Sequence, residues 1–244
     1  MSKLTRRALL ATTALSLAAP LASRAATIAG ALPWQPFPSD PPSPFRPGPW
    51  LFFTNDEARA VEALADRIIP PDPETPGGKD AGCAVFIDRQ LAGPYGRNAG
   101  LYTSGPFQSG SKQQGPQSPA TPAQHYRKSL SALDKWCRAQ RNGKAFAELS
   151  AEQQDEVLHG IEGGTVKFDD VDAQGFFSAL LKDVPEGFFS DPIHGGNRDM
   201  AGWRMIGFPG IRYDYRDWVG RHNERYPLPP VSIAGRSDWT PPKT

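Results

Sequence analysis

The stretch Thr54-Asn55-Asp56-Glu57-Ala58-Arg59-Ala60-Val61-Glu62-Ala63-Leu64-Ala65-Asp66-Arg67-Ile68-Ile69-Pro70-Pro71 decides the fold class. Thr54 and Glu57 stand at capping-box spacing, where each side chain accepts a hydrogen bond from the other residue's backbone N–H. Val61, Leu64, Ala65 and Ile68 follow at i, i+3, i+4 and i+7, one apolar stripe of an amphipathic helix. Pro70-Pro71 stops it, because proline lacks the donor and clashes with the preceding turn.

The same grammar repeats downstream. After the turn Pro76-Gly77-Gly78, Asp80 is placed to cap a second helix with Cys83, Phe86, Ile87 and Leu91 on one face. Residues 93–124 are Gly-, Pro-, Ser- and Gln-rich without periodicity, although Tyr95, Leu101, Tyr102 and Phe107 argue against a mere solvated tether. Thr121-Pro122-Ala123-Gln124 restarts order as a capping box with proline at the first helical position. Tyr126, Leu130, Leu133 and Cys137 mark that helix's core face, and Gly143 closes it. Ser150 and Gln153 cap a fourth helix carrying Val157, Leu158 and Ile161, ended by Gly163-Gly164. Asp172 opens a fifth with Phe176, Phe177, Leu180 and Leu181, and short helices follow near 198–206 and 214–221. No run of alternating strands appears. The expected fold is mostly α: an irregular helical domain of about five to seven helices over residues 54–244, with long Pro/Gly-rich loops.

Outward from that domain, residues 26–53 read as an extended arm. Eight prolines fall within residues 33–49, interleaved with Trp34, Phe37 and Phe45, a density that forces polyproline II or irregular extension. A linker seldom carries so many large aromatics. They want a surface, either on their own domain or on a partner.

Residues 1–25 read as an address. Arg6-Arg7 directly precedes a mildly apolar run from Ala8 to Ala22, and Ser23-Arg24-Ala25 supplies small residues at cleavage spacing. The run falls short of the ~20 apolar residues a membrane span requires. Paired arginines, a weak apolar core and a basic residue near the cut favour a twin-arginine signal over a general secretory leader or an uncleaved anchor. The mature chain would then be periplasmic, exported in a folded state.

The whole chain of 244 residues carries a net charge of +1, but the leader holds four cations and no acid, which leaves −3 for residues 26–244. An acidic mature chain offers no footprint for nucleic acid, whose binding rests on neutralising phosphates. Two cysteines and four histidines restrict the chemistry further: CxxC, HExxH, GxGxxG, GxSxG and Walker motifs are all missing. No catalytic, cofactor-binding or metal-ligating residues are expected in this chain.

Three clusters remain. Cys83 and Cys137 face inward on separate helices and fit an internal disulfide, two buried thiols, or a bridge to a partner. Asp191-Pro192-Ile193-His194-Gly195-Gly196-Asn197 fits either an acid–base or metal site on Asp191 and His194, or a tight turn with Asn197 capping the next helix. No second histidine or paired carboxylate stands at ligand spacing, which favours the turn. From Arg198 to Arg225 six arginines, no lysine and several aromatics suit either a protein interface or internal stacking that staples the tail.

Taken together, three segments resemble the gluconate 2-dehydrogenase subunit 3 family. They are Phe53-Thr54 to Glu57 with Ala65-Asp66-Arg67-Ile68-Ile69-Pro70, Thr75-Pro76-Gly77, Ala81-Gly82 and Phe86-Ile87-Asp88; Phe188-Phe189-Ser190-Asp191-Pro192 with Gly195-Gly196-Asn197; and Gly202-Trp203-Arg204 with Ile206-Gly207-Phe208-Pro209-Gly210. The family commonly has tyrosine where His194 stands. The resemblance implies a non-catalytic, chaperone-like small subunit of a periplasmic, membrane-associated oxidoreductase complex. Its implied partners are an FAD-carrying large subunit of the glucose-methanol-choline oxidoreductase type, a multihaem cytochrome c subunit bearing haem c and, during export, the twin-arginine translocase. Trp34, Phe37, Asp191, Gly195, Gly196, Asn197, Trp203, Phe208 and Pro209 are the candidate partner-interface residues. The competing readings are a free-standing periplasmic hydrolase using Asp191 and His194, and a sugar-binding module.

Overall fold

The computed structural model describes residues 48–234 apart from 102, 103, 109, 112, 113, 115–117 and 213. Helix α1 (Asn55–Ile68) begins with the expected box: Thr54 N donates to Glu57 Oε2 at 2.8 Å, and Glu57 N donates to Thr54 Oγ1 at 3.3 Å. Val61, Leu64 and Ala65 are fully buried. The same reciprocal box starts α3 (Pro122–Gln140) at Thr121/Gln124 and α4 (Ala151–Glu162) at Ser150/Gln153. Asp172 starts α5 (Ala173–Phe189) by accepting from Gly175 N at 2.9 Å.

Helix α2 (Cys83–Ala92) departs from expectation at its start. Asp80 is exposed and caps nothing; the N-cap is Gly82, at φ 84°, with no side-chain cap. A Cβ there would lie 2.6 Å from the Gly195 carbonyl oxygen. The start of α2 is thus set by close approach to a distant loop, which local capping rules do not see. Helix α6 (Ala201–Ile206) and 3-10 turns at Arg198–Met200 and Arg216–Trp218 fall where short helices were expected.

Helix α5 is the spine: it packs against α1, α2, α3, α4 and α6. Phe176, Leu180 and Val184 are fully buried along it, each large apolar side chain contributing about 1.5–3 kcal/mol on burial. It runs on past Pro185, which removes the N–H that would donate to the carbonyl of Leu181. Leu181 is exposed, so water can satisfy that carbonyl. Among the described residues there are six α-helices and no strand, only isolated bridges pairing Phe168 with Val171 and Gly210 with Val231. The expected mostly α class is the one observed.

The end of the Pro-rich stretch is pinned to this domain. The buried carboxylate of Asp88 accepts from the backbone N–H groups of Leu51, Phe52 and Phe53, each at 2.9 Å, and from Arg89 at 3.0 Å. Phe53, the last residue assigned to the arm, lies in the core. Asp66 and Arg67 are also structural. Asp66 accepts from Lys79 N at 2.8 Å, and Arg67 forks onto Asp155 at 2.6 and 2.8 Å.

Candidate functional site

Phe188–Asn197 and Gly202–Gly210 meet as one backbone knot at the C-terminal end of α5. Asn197, fully buried and in the left-handed region at φ 46°, donates from its side chain to Ser190 O at 2.8 Å and accepts from Gly202 N at 2.9 Å. It therefore satisfies a first-turn donor of α6, although the N-cap position is Met200. Trp203 Nε1 donates to Phe189 O at 2.8 Å. The glycines let backbones touch. A Cβ at Gly196 would sit 2.2 Å from Gly187 O, and one at Gly202 2.3 Å from Phe188 O. The space beside Gly196 is taken by the chain's own Gly187 carbonyl.

The knot ends in a Schellman motif. Gly207, at φ 70°, donates to Arg204 O at 3.2 Å, and Phe208 N donates to Trp203 O at 2.8 Å. The apolar contact such a motif favours is present, with the Trp203 and Phe208 rings 5.1 Å apart. Gly210 then pairs with Val231, where Ile211 N donates to Val231 O at 2.7 Å and Val231 N to Pro209 O at 3.3 Å. Tyr215 Oη also donates to Gly210 O.

Asp191 and His194 do not form a catalytic pair. Asp191 is buried, and its two carboxylate oxygens accept from Ile193 N at 3.0 Å and Ile233 N at 2.8 Å. The contact between the two residues is a backbone bond, His194 N to Asp191 O at 3.0 Å. The imidazole is exposed and no described residue hydrogen-bonds it. Among the described residues no group of three or more His, Cys, Asp or Glu side chains is placed to hold a metal ion.

Cys83 and Cys137 are both buried and both free thiols. Burial pushes Cys83 up to about 12 and Cys137 up to about 11, with nearby carboxylates adding to burial in each case. Buried in the same core, Tyr126 Oη donates to Asp183 Oδ2 at 2.6 Å. Burial raises the Asp183 carboxyl above its ordinary value, against the opposing hydrogen bond from Tyr126. Burial, then the Asp183 charge, raises the Tyr126 phenol. These two residues lie near a small cavity of about 80 Å³ lined by Asp183, Tyr95, Glu186 and Phe86 among others. A larger cleft of about 250 Å³ beside α1 and α3 is lined by Asp56, Arg59, Asp134 and Arg138, whose charges pair with one another.

The tail stacks on itself. Arg221 lies over Trp218 at 4.5 Å, Trp218 meets Tyr226 at 4.8 Å, and Arg212 lies over the other partner of that stack, Tyr226, at 4.9 Å. Of the two readings for this arginine- and aromatic-rich stretch, internal stapling is present.

Of the interface candidates, Asp191, Gly195, Gly196, Asn197 and Trp203 are buried within this chain, Pro209 is half-buried, and Phe208 is exposed. The buried five shape a surface and do not themselves form it. Trp34, Phe37, Arg6 and Arg7 lie outside the described residues. The knot also leaves Met205, Ile206 and Phe189 exposed, and none of these three was a candidate from the sequence. Two apolar residues directly before a Gly-Phe helix end were the available signal.

A family model described as gluconate 2-dehydrogenase subunit 3 matches residues 55–210, and the chain belongs to that family. The match begins with α1 and ends at Gly210, where the knot pairs with Val231. No curated protein and no solved structure matches the chain. Family membership makes it an accessory subunit of a multisubunit dehydrogenase complex. No helix among the described residues is long and apolar enough to cross a membrane.

Proposed function

We propose that the chain is the non-catalytic small subunit of a periplasmic, membrane-associated FAD-dependent dehydrogenase. It binds the folded flavoprotein large subunit, stabilises it and carries it through twin-arginine export. In this reading FAD belongs to the large subunit of the glucose-methanol-choline oxidoreductase type, and haem c to a multihaem cytochrome subunit. The observation that carries it is how the family segments are used. Asp191, Asn197, Trp203 and the close-approach glycines are committed to the chain's own backbone, and what they leave at the surface is an apolar helix end.

The export role follows from where flavin is made. The flavoprotein acquires FAD in the cytoplasm and has to cross the membrane folded, and Arg6-Arg7 on this chain supplies an address for folded cargo. Binding only the folded partner shifts its equilibrium toward the native state by mass action, about 2.7 kcal/mol at a hundredfold excess over Kd. Replacing Arg6 and Arg7 together with lysine is expected to strand the dehydrogenase activity of the complex in the cytoplasm. Unchanged periplasmic activity in that double variant would contradict the carrier role.

A further inference from the structure

The small cavity between α2 and α5 measures about 80 Å³. Phe86, Ile87 and Gln90 of α2 line it, with Asp183 and Glu186 of α5 and Tyr95 at the head of a 3-10 turn (Tyr95–Arg97). The two acids stand three residues apart on α5, which puts them on one helix face. A single water needs about 10–15 Å³ of such space, so the cavity has room for an ammonium head on a short alkyl stem.

Asp183 decides its chemistry. The residue is only 4% exposed. Its Oδ2 accepts from the Tyr126 hydroxyl at 2.6 Å, whereas Oδ1 accepts from no described residue and no cation pairs with the carboxylate. An ionised carboxylate taken out of water needs a counter-charge or further donors. Lys182 is the chain's own cation at this place, and it does not supply one to Asp183. Its side chain is 61% exposed, with Nζ 3.6 Å from Glu186 Oε1 and 5.8 Å from the centre of the Tyr95 ring. The Gln90 amide also hydrogen-bonds no described residue. A hard metal ion fits poorly, since calcium and magnesium take about six or more oxygen ligands. Among the described residues no three His, Cys, Asp or Glu side chains gather for a metal.

We propose that this cavity is a binding site for a primary ammonium group. Such a group carries three N–H donors, and three acceptor-bearing side chains line the space: the Asp183 carboxylate through Oδ1, the Glu186 carboxylate and the Gln90 amide oxygen. Phe86 and Ile87 give the alkyl stem an apolar wall, and the Tyr95 ring offers a face to the cation. Two sources share this chemistry, a free alkylamine and a lysine side chain of another protein.

Isothermal titration calorimetry of the full chain at neutral pH and constant ionic strength, with n-propylammonium chloride as the probe, tests the site. One equivalent should bind with a Kd of about 1 mM. Asp183→Asn, which keeps an acceptor for Tyr126, is expected to weaken binding about tenfold or more, and Glu186→Gln about threefold or more. Lys182→Met removes the competing cation and should tighten binding about two- to fivefold. Tetramethylammonium, which has no N–H, should not bind. Thermal unfolding of each variant shows that it is folded. No binding of propylammonium by the wild-type chain, unchanged affinity in both acid variants, or equal affinity for tetramethylammonium would overturn the site. A second arm separates the sources: flavin captured by the tagged chain expressed beside its flavoprotein, with and without Asp183→Asn. Capture lost in the variant assigns the ammonium to a lysine of that subunit, and capture retained assigns it to a free amine. No flavin captured by the wild-type chain would overturn the proposed function and leave the ammonium site, which calorimetry decides, standing.

Discussion

Asn197 and Asp191 look like site residues in the sequence and prove to be fasteners. Each is buried, and each spends its polar atoms on backbone groups: Asn197 on Ser190 and Gly202 nearby, Asp191 on neighbouring Ile193 and distant Ile233. Leaving such a partner unsatisfied costs about 1–3 kcal/mol. Asp183 is the residue-scale case with a pH consequence. Its folded pKa is raised by burial, so the folded chain holds that proton more tightly than the unfolded chain. The contribution therefore favours the fold below the ordinary carboxylate range and is lost as pH rises through the raised value. Asp183→Asn keeps an acceptor for Tyr126 and removes the titration. Urea unfolding of the two proteins at about pH 3 and about pH 7 should show the variant gaining stability relative to wild type at the higher pH. A constant difference across that range would show that Asp183 does not titrate as described.

At the scale of elements, the helix starts at Thr54, Thr121, Ser150 and Asp172 were legible because capping is local chemistry between residues three apart. The start of α2 was not legible, because Gly82 answers to Gly195, more than a hundred positions away. The continuation of α5 past Pro185 was hidden for a related reason: the spine is held by five other helices, and tertiary packing outweighs one missing hydrogen bond. In the knot, the sequence showed a turn with glycines but not the backbone contacts that those glycines permit. These contacts give the element-scale prediction. Gly202→Ala places a methyl 2.3 Å from Phe188 O, so the chain must shift or α6 must detach. A loss of about 2–4 kcal/mol in unfolding free energy is expected by denaturant titration, along with weaker capture of the flavoprotein. Wild-type stability in that variant would mean that α6 is not held against the end of α5.

At the scale of the whole molecule, the proposed function joins a twin-arginine leader for folded cargo, read from Arg6-Arg7, to the helical domain of a dehydrogenase-subunit family. The family was legible because its segments are short and specific. The partner-facing surface was not, since the same segments are rich in glycine, asparagine and tryptophan whose work is internal, and among the described interface candidates only Phe208 is exposed. Substrate specificity, in this account, belongs to the flavin-bearing partner. The most direct measurement is affinity purification of the tagged chain from its native periplasm and membranes, followed by an absorption spectrum of the purified material. A larger co-purifying chain with a flavin spectrum is expected, joined by c-type haem bands where the cytochrome subunit is retained. A colourless single chain, stable alone, would contradict it.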